Sequence, residues 1–185
     1  PATSQEAAKM YAAEPLFPVV AIGASAGGLE SFTTLLRHLP TDSGMAFVFI
    51  QHLAPSHESM LPHLLSRETA MPVSQIEDGA LLSRDHVYVI PPNAAMTVSG
   101  RELALTPRRT AGTAIDVFLR SLAESHKTRA VAVILSGTGS DGALGIQAVA
   151  EESGVVFAQE PQSAKFDGMP RSAIATGCVD FVLPP

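Results

Sequence analysis

Positive charge is scarce in this 185-residue chain: twelve Lys and Arg face eighteen Asp and Glu, giving a net charge of −6 and a pI near 5.4. The basic residues are also scattered. Nucleic acid and anionic membrane surfaces select clustered cations, so neither is expected as the main partner. Cysteine occurs once, at Cys178, which excludes an internal disulfide and fits a reducing compartment; its apolar neighbours mark it as a core residue. No apolar run approaches the ~18 residues of a membrane span, and the N-terminus lacks the charged-then-apolar order of a signal peptide. The expectation is a cytoplasmic protein without membrane insertion. Internal repeats and low-complexity tracts are missing. There is also no His/Cys cluster and no H-E-x-x-H motif, so neither a metal nor a cofactor is expected.

What remains is an apolar chain, 46% hydrophobic by residue, long enough for one well-filled core. Residues 1–15 are polar and Ala-rich with prolines at both ends, and residues 1–17 read as a linker or tail preceding a single domain over 18–185. Within it, Val19 to Ile22 are apolar without alternation, the pattern of a central parallel strand covered on both faces. The strand runs into Gly23-Ala24-Ser25-Ala26-Gly27-Gly28, followed by helical spacing to Leu39 and a stop at Pro40. This is G-x-S-x-G in a strand-turn-helix setting. A sharp turn there presents a serine above the sheet and tolerates only small neighbours. It also leaves N–H groups of the helix start, beginning with Ala26, aimed at a developing oxyanion.

On its own the turn fits a second role, because spaced glycines before a helix also cradle a pyrophosphate. A nicotinamide site wants an acid roughly 20 residues on, at the end of the second strand. That place reads Phe49-Ile50-Gln51-His52, without an acid but with a histidine. The second strand, Met45 to Ile50, is again continuously apolar and is expected parallel to the first, which puts His52 at its carboxyl edge, where open parallel sheets bind ligands.

The middle of the chain departs from the β-α rhythm. Segments 71–76, 87–90, 95–98 and 101–105 read as short strands with a hairpin turn at Ser99-Gly100, together an antiparallel extension on a parallel sheet. Arg108 and Arg109 fall in a basic surface loop. From Thr113 the rhythm resumes, with Thr113-x-x-Asp116 resembling a capping box that explains Asp116 as a cap. Ala130 to Leu135 is a buried strand that ends in the glycine-rich Ser136-Gly137-Thr138-Gly139-Ser140-Asp141-Gly142. A helix, a strand at 155–158, a short helix near 170–175 and a last strand at 179–183 complete a doubly wound α/β fold, mostly parallel and flanked by helices, with a short hairpin extension.

Serine, histidine and aspartate thus stand at the ends of three different buried strands. A serine hydroxyl needs an imidazole to take its proton, and the imidazole needs a carboxylate to fix its tautomer. Ser25, His52 and Asp141 fit those roles. His57 is the alternative base, and Glu160, which also follows a strand, the alternative acid.

These residues lie in four ordered segments: Ile22 to Gly28, Gln51-His52, Leu135 to Gly142, and Phe166-Asp167-Gly168-Met169-Pro170-Arg171-Ser172-Ala173-Ile174. Over Pro18 to Pro185 they resemble the chemotaxis protein-glutamate methylesterases, the CheB-type catalytic domains. The resemblance carries a Ser-His-Asp triad onto Ser25, His52 and Asp141. It implies hydrolysis of glutamate γ-methyl esters on chemoreceptor cytoplasmic helices with release of methanol, and glutamine deamidation as a second activity. In that scheme the Ala26 N–H and a donor from the Thr138-Gly139 loop hold the oxyanion. The loop carries Thr138 where the family usually has methionine, which motivates the alternative of a weakly active or inactive signalling or scaffold domain. The Leu135–Gly142 variant and the ending Phe181-Val182-Leu183-Pro184-Pro185 are similar to versions fused to a methyltransferase and sensor modules.

Overall fold

Val19–Ala24 (β1) is buried along its whole length and lies at the middle of a seven-stranded sheet. The structure, a computed structural model, describes residues 16–51, 60–107 and 113–185. The sheet also contains Ala46–Gln51 (β2), Val73–Gln75 (β3), His86–Val89 (β4), Ala130–Ile134 (β7), Val155–Gln159 (β8) and Phe181–Leu183 (β9), in the order β3-β4-β2-β1-β7-β8-β9. Every pairing within it is parallel. After β1 the chain winds outward through β2 and later returns to β7 on β1's other side. The crevice beyond the carboxyl ends of β1 and β7 is therefore the topological switch point, where sheets of this kind bind ligands.

Side-chain alternation along the strands splits the core into two layers. Val19 and Ala21 face a layer with Ile115, Phe118, Leu119 and Leu122 of Ala114–His126 (α3), Ile146 and Val149 of Ala143–Glu151 (α4), and Met169 and Ala173 of Gly168–Ala175 (α5). Val20, Ile22 and Ala24 face Phe32 and Leu36 of Gly28–His38 (α1) and Leu61 and Leu65 of Leu61–Leu65 (α2). A period of two along β1 thus puts apolar side chains into both layers, as its unbroken apolar run requires. Phe17 is already buried, with the Arg84 and Arg101 guanidinium groups 4.9 and 5.6 Å from its ring centre. On the α1 face, an apolar groove of about 480 Å³ runs between Leu35 and Leu39 and the strands β7 to β9. No helix of the described residues is long and apolar enough to cross a membrane.

The antiparallel part is smaller than the sequence suggests. Among the described residues the antiparallel strands are Ala94–Ser99 (β5) and Glu102–Pro107 (β6), a separate two-stranded sheet to which Leu81 adds a single bridge at Glu102. β3 and β4 instead extend the parallel sheet, with Val73 opposite Val87. Burial separates the two cases: Val87, Tyr88 and Val89 of β4 are all buried, whereas β5 alternates buried and open positions from Met96 onward, as a one-sided hairpin must. The connection 76–85 has no crossover helix. It runs along the hairpin, where Gly79 N–H donates to Leu103 C=O at 2.9 Å and Leu103 N–H to Ala80 C=O at 2.8 Å.

Candidate active site

Ser25 is the first residue after β1 and is half-buried. Its backbone is held from three directions: its N–H donates to Ser136 C=O at 3.0 Å, and its C=O accepts from Gly28 N–H at 2.9 Å and from Gln51 Nε2 at 3.2 Å. Gly27, the N-cap of α1, has φ 73°, a left-handed conformation that favours glycine. A Cβ added at Gly28 would collide with Ala24 Cβ, so only glycine lets the helix start against the strand it follows. The Ala26 and Gly27 N–H groups have no hydrogen-bond partner among the described residues, which leaves them to a ligand or solvent at the positive end of α1.

The loop after β7 passes beneath the serine. A Cβ added at Gly137 would lie 2.9 Å from Ser25 Cβ and 3.0 Å from Ser25 N, and would strike the Met169 sulfur. Ser136, fully buried, ties this loop to its neighbours. Its Oγ donates to Ala26 C=O at 2.9 Å and accepts from Phe166 N–H at 3.0 Å, while its N–H donates to Gln159 Oε1 at 2.8 Å. Gly137 N–H donates to Phe166 C=O, and Met169 N–H to Gly137 C=O, both at 2.9 Å. The elbow, the β7 loop and the segment leading into α5 therefore form one hydrogen-bonded unit. Thr138 and Gly139 lie exposed on its rim, with Gly139 at φ 87° and its carbonyl accepting from Ser172 Oγ at 3.2 Å.

Asp141 is buried at the end of the same loop. Its Oδ2 accepts from Ile115 N–H at 3.1 Å and its Oδ1 from Asp116 N–H at 3.0 Å, so it caps α3. The capping box expected within α3 does not form: Thr113 makes no side-chain cap bond. Asp116 reaches across instead, with one oxygen, Oδ1, accepting from Gly142 N–H at 3.0 Å and Gly145 N–H at 2.7 Å. The sequence signal was correct in type but assigned the carboxylate to the wrong helix, because two helix starts meet here and each lies within reach of the other's acid. Burial pushes the Asp116 carboxyl above its ordinary value; the two amide bonds pull the other way, and the nearby Asp141 charge adds to the rise.

The structure thus brings Ser25, Ala26, Gly137–Gly139 and the Asp141 loop to the carboxyl ends of the adjacent strands β1 and β7. His52 and the alternative His57 lie outside the described residues, as do Arg108 and Arg109. β2 ends at Gln51, opposite Ala24. Glu160 directly follows β8, one strand further out, where its N–H donates to Leu183 C=O. Among the described residues no group of His, Cys, Asp and Glu is arranged to hold a metal ion. Sequence reasoning passed over two contributors. Ser136 lay inside a recognised motif without a role, and Gln51 beside the histidine holds the Ser25 carbonyl, while its own Oε1 is buried without a partner among the described residues. A polar residue directly after a run of buried apolar ones was the available signal in both cases.

Comparison with known proteins gives a consistent result. Residues 20–185 match the CheB methylesterase family. Protein-glutamate methylesterase FrzG of Myxococcus xanthus is 36% identical over 183 residues, covering 97% of this chain and 55% of the relative. A protein-glutamate methylesterase/protein-glutamine glutaminase of Burkholderia thailandensis is 34% identical over 99% of this chain and 56% of its own length. An uncharacterized 104.1 kDa protein of Rhodobacter capsulatus is 53% identical over 122 residues, 65% of this chain but 13% of that protein. The chain thus spans little more than half the length of these named methylesterases and a small part of the large protein. The crystal structure of the Thermotoga maritima CheB methylesterase catalytic domain superposes with a TM-score of 0.82 at 28% identity, covering 91% of this chain and 93% of that one.

Proposed function

Since the chain belongs to the CheB methylesterase family, we propose that residues 18–185 form a serine hydrolase domain that removes methyl esters from glutamate side chains of chemoreceptors. The observation that carries this reading is the Ser25 elbow at the switch point. There a serine follows a central strand, two N–H groups without a partner among the described residues follow the serine, and a buried aspartate ends the loop after the neighbouring strand.

In the proposed reaction Ser25 Oγ attacks the ester carbonyl carbon while His52 takes the hydroxyl proton. The Ala26 N–H, with a donor from the Thr138-Gly139 rim, stabilises the oxyanion, and Asp141 holds the imidazole in its working tautomer. Collapse of the tetrahedral adduct breaks the bond to the methoxy oxygen, which leaves as methanol with the proton from His52. Water then attacks the acyl-serine by the same route, restoring Ser25 and releasing a glutamate carboxylate. A glutamine side chain offers an amide carbonyl in the same place, with the C–N bond broken and the nitrogen leaving as ammonia with the proton from His52, which extends the scheme to deamidation, in keeping with the second activity in the name of the Burkholderia relative. The substrate helices and the chain would meet in the cytoplasm. The length of the Rhodobacter relative supports a parent protein in which this domain is joined to further modules, such as a methyltransferase and sensors.

The test is methanol release from methylated receptor. Ser25→Ala is expected to keep the fold and lose about 10³-fold or more of the rate. A rate in that variant equal to the wild type overturns the assignment. A covalent serine-directed probe separates the enzyme from the scaffold alternative raised by Thr138: it labels Ser25 in an enzyme and leaves it unlabelled in an inert domain.

A further inference from the structure

Asp116 takes no part in the scheme above, yet it is bonded to the loop that carries Asp141. Helices α3 and α4 start side by side, and each is capped by the other's carboxylate: Asp141 accepts the Ile115 and Asp116 N–H groups, and Asp116 accepts those of Gly142 and Gly145. We propose that Asp116 is a positioning residue for Asp141, fixing the backbone on which that carboxylate stands. This rests on the reading of Asp141 as the triad acid.

Several features favour positioning over capping alone. The acceptor for α4 does not come from its own N-cap, Gly142, which has no side chain to offer, but from a residue 26 positions earlier that belongs to another helix. The bond to Gly142 N–H is made at the residue directly following Asp141, so it restrains the peptide between them. Both bonds converge on one oxygen, which requires the two helices to approach closely. The glycines allow this: a Cβ at Gly142 would lie 3.0 Å from Ile115 Cγ2, and one at Gly145 would lie 2.6 Å from Leu119 Cβ and 3.1 Å from Asp116 Cα. Two carboxylates held this near each other repel. The arrangement persists because each faces the N–H groups at the positive start of the other's helix.

The single accepting oxygen makes the inference testable. Asn at 116 retains an Oδ1 that can accept both bonds, Ala has no acceptor, and Glu keeps the charge but moves the oxygen by one methylene. The expected result is that Asp116→Asn holds kcat within about threefold of the wild type, while Asp116→Ala and Asp116→Glu lower it by roughly 10- to 100-fold with KM unchanged, the scale of a small misplacement of a reacting group. Rates are measured on methylated receptor well below each variant's unfolding midpoint, with folding checked by circular dichroism. Loss of stability alone would leave those rates intact. Asp141→Asn is assayed alongside and should lose about 10⁴-fold. A wild-type kcat in Asp116→Ala beside an impaired Asp141→Asn overturns the inference alone; an unimpaired Asp141→Asn overturns the triad assignment and the inference with it. Should Asp116→Ala not fold, the remaining pair decides: activity kept by Glu and lost by Asn means that charge matters and position does not, which also overturns it.

Discussion

Gly137 has almost no room beneath Ser25. The end of the Met169 side chain can move aside for an added methyl group, but the Ser25 backbone, held by Ser136, Gly28 and Gln51, cannot. Gly137→Ala should therefore displace the elbow. The expected cost is about 1–3 kcal/mol of stability, the usual range for overpacking, together with a fall in esterase rate of tenfold or more. Thermal unfolding and methanol release on the same preparation check both. Ser136→Ala has a different signature, because it leaves the Phe166 N–H without its side-chain acceptor and releases Ala26 C=O. The turn that carries Ser25 was readable from sequence because its evidence is local: small residues flanking a serine between a buried strand and a helix. The role of Ser136 was not, since its partners at Ala26, Phe166 and Gln159 are distant in the chain and meet only when β7 lies between β1 and β8.

The hairpin β5–β6 stands outside the seven-stranded sheet, and besides the packing of Met96, Val98 and Leu103 in the core, α3 bonds to it through two hydroxyls one turn apart. Val98 N–H donates to Ser121 Oγ at 3.0 Å, and Gly100 N–H to Ser125 Oγ at 2.8 Å. Replacing both serines with alanine removes bonds worth about 1 kcal/mol each. In hydrogen exchange, the Val98 and Gly100 amides of the double variant should lose about tenfold or more of their protection, while those of β1 keep theirs; uniform loss across the sheet would show that the hairpin is not a separate unit. The same region shows the limit of reading elements from pattern. Long apolar strands such as β1 and β2 declare a parallel sheet by themselves. β3 is three residues long and joined to β4 without a helix, so local pattern favoured a meander, and only the burial of β4 on both faces reveals where it belongs. Helix-start chemistry was legible as a type at Asp116, but the choice of helix depended on a contact between α3 and α4.

The stability of the whole molecule carries a pH dependence from His126. This residue ends α3, is 2% exposed, and has a buried Nδ1 without a partner among the described residues. Burial, with the Arg129 charge adding to it, lowers its pKa to about 4. In the unfolded chain the imidazole titrates near 6.5. Between those values the unfolded state takes up a proton that the native state refuses, so this contribution to stability is intact above about pH 6.5 and falls as the pH drops towards 4, by an amount on the order of 3 kcal/mol. His126→Phe should flatten the dependence of the unfolding midpoint over that window, and an unchanged slope would assign the effect to other groups. At this scale the α/β class was visible in the sequence, whereas the neighbour relation of β1 and β7 was not. That relation has a consequence for biosynthesis. The bond from Ser136 to Ala26 joins residues 110 apart, so the serine leaves the ribosome long before the loop that completes its surroundings. A growing chain, or a fragment ended by a premature stop codon before β7, carries Ser25 without the Ser136 and Gly137 loop beside it, so on the proposed reading no hydrolysis is expected before that loop has been synthesised.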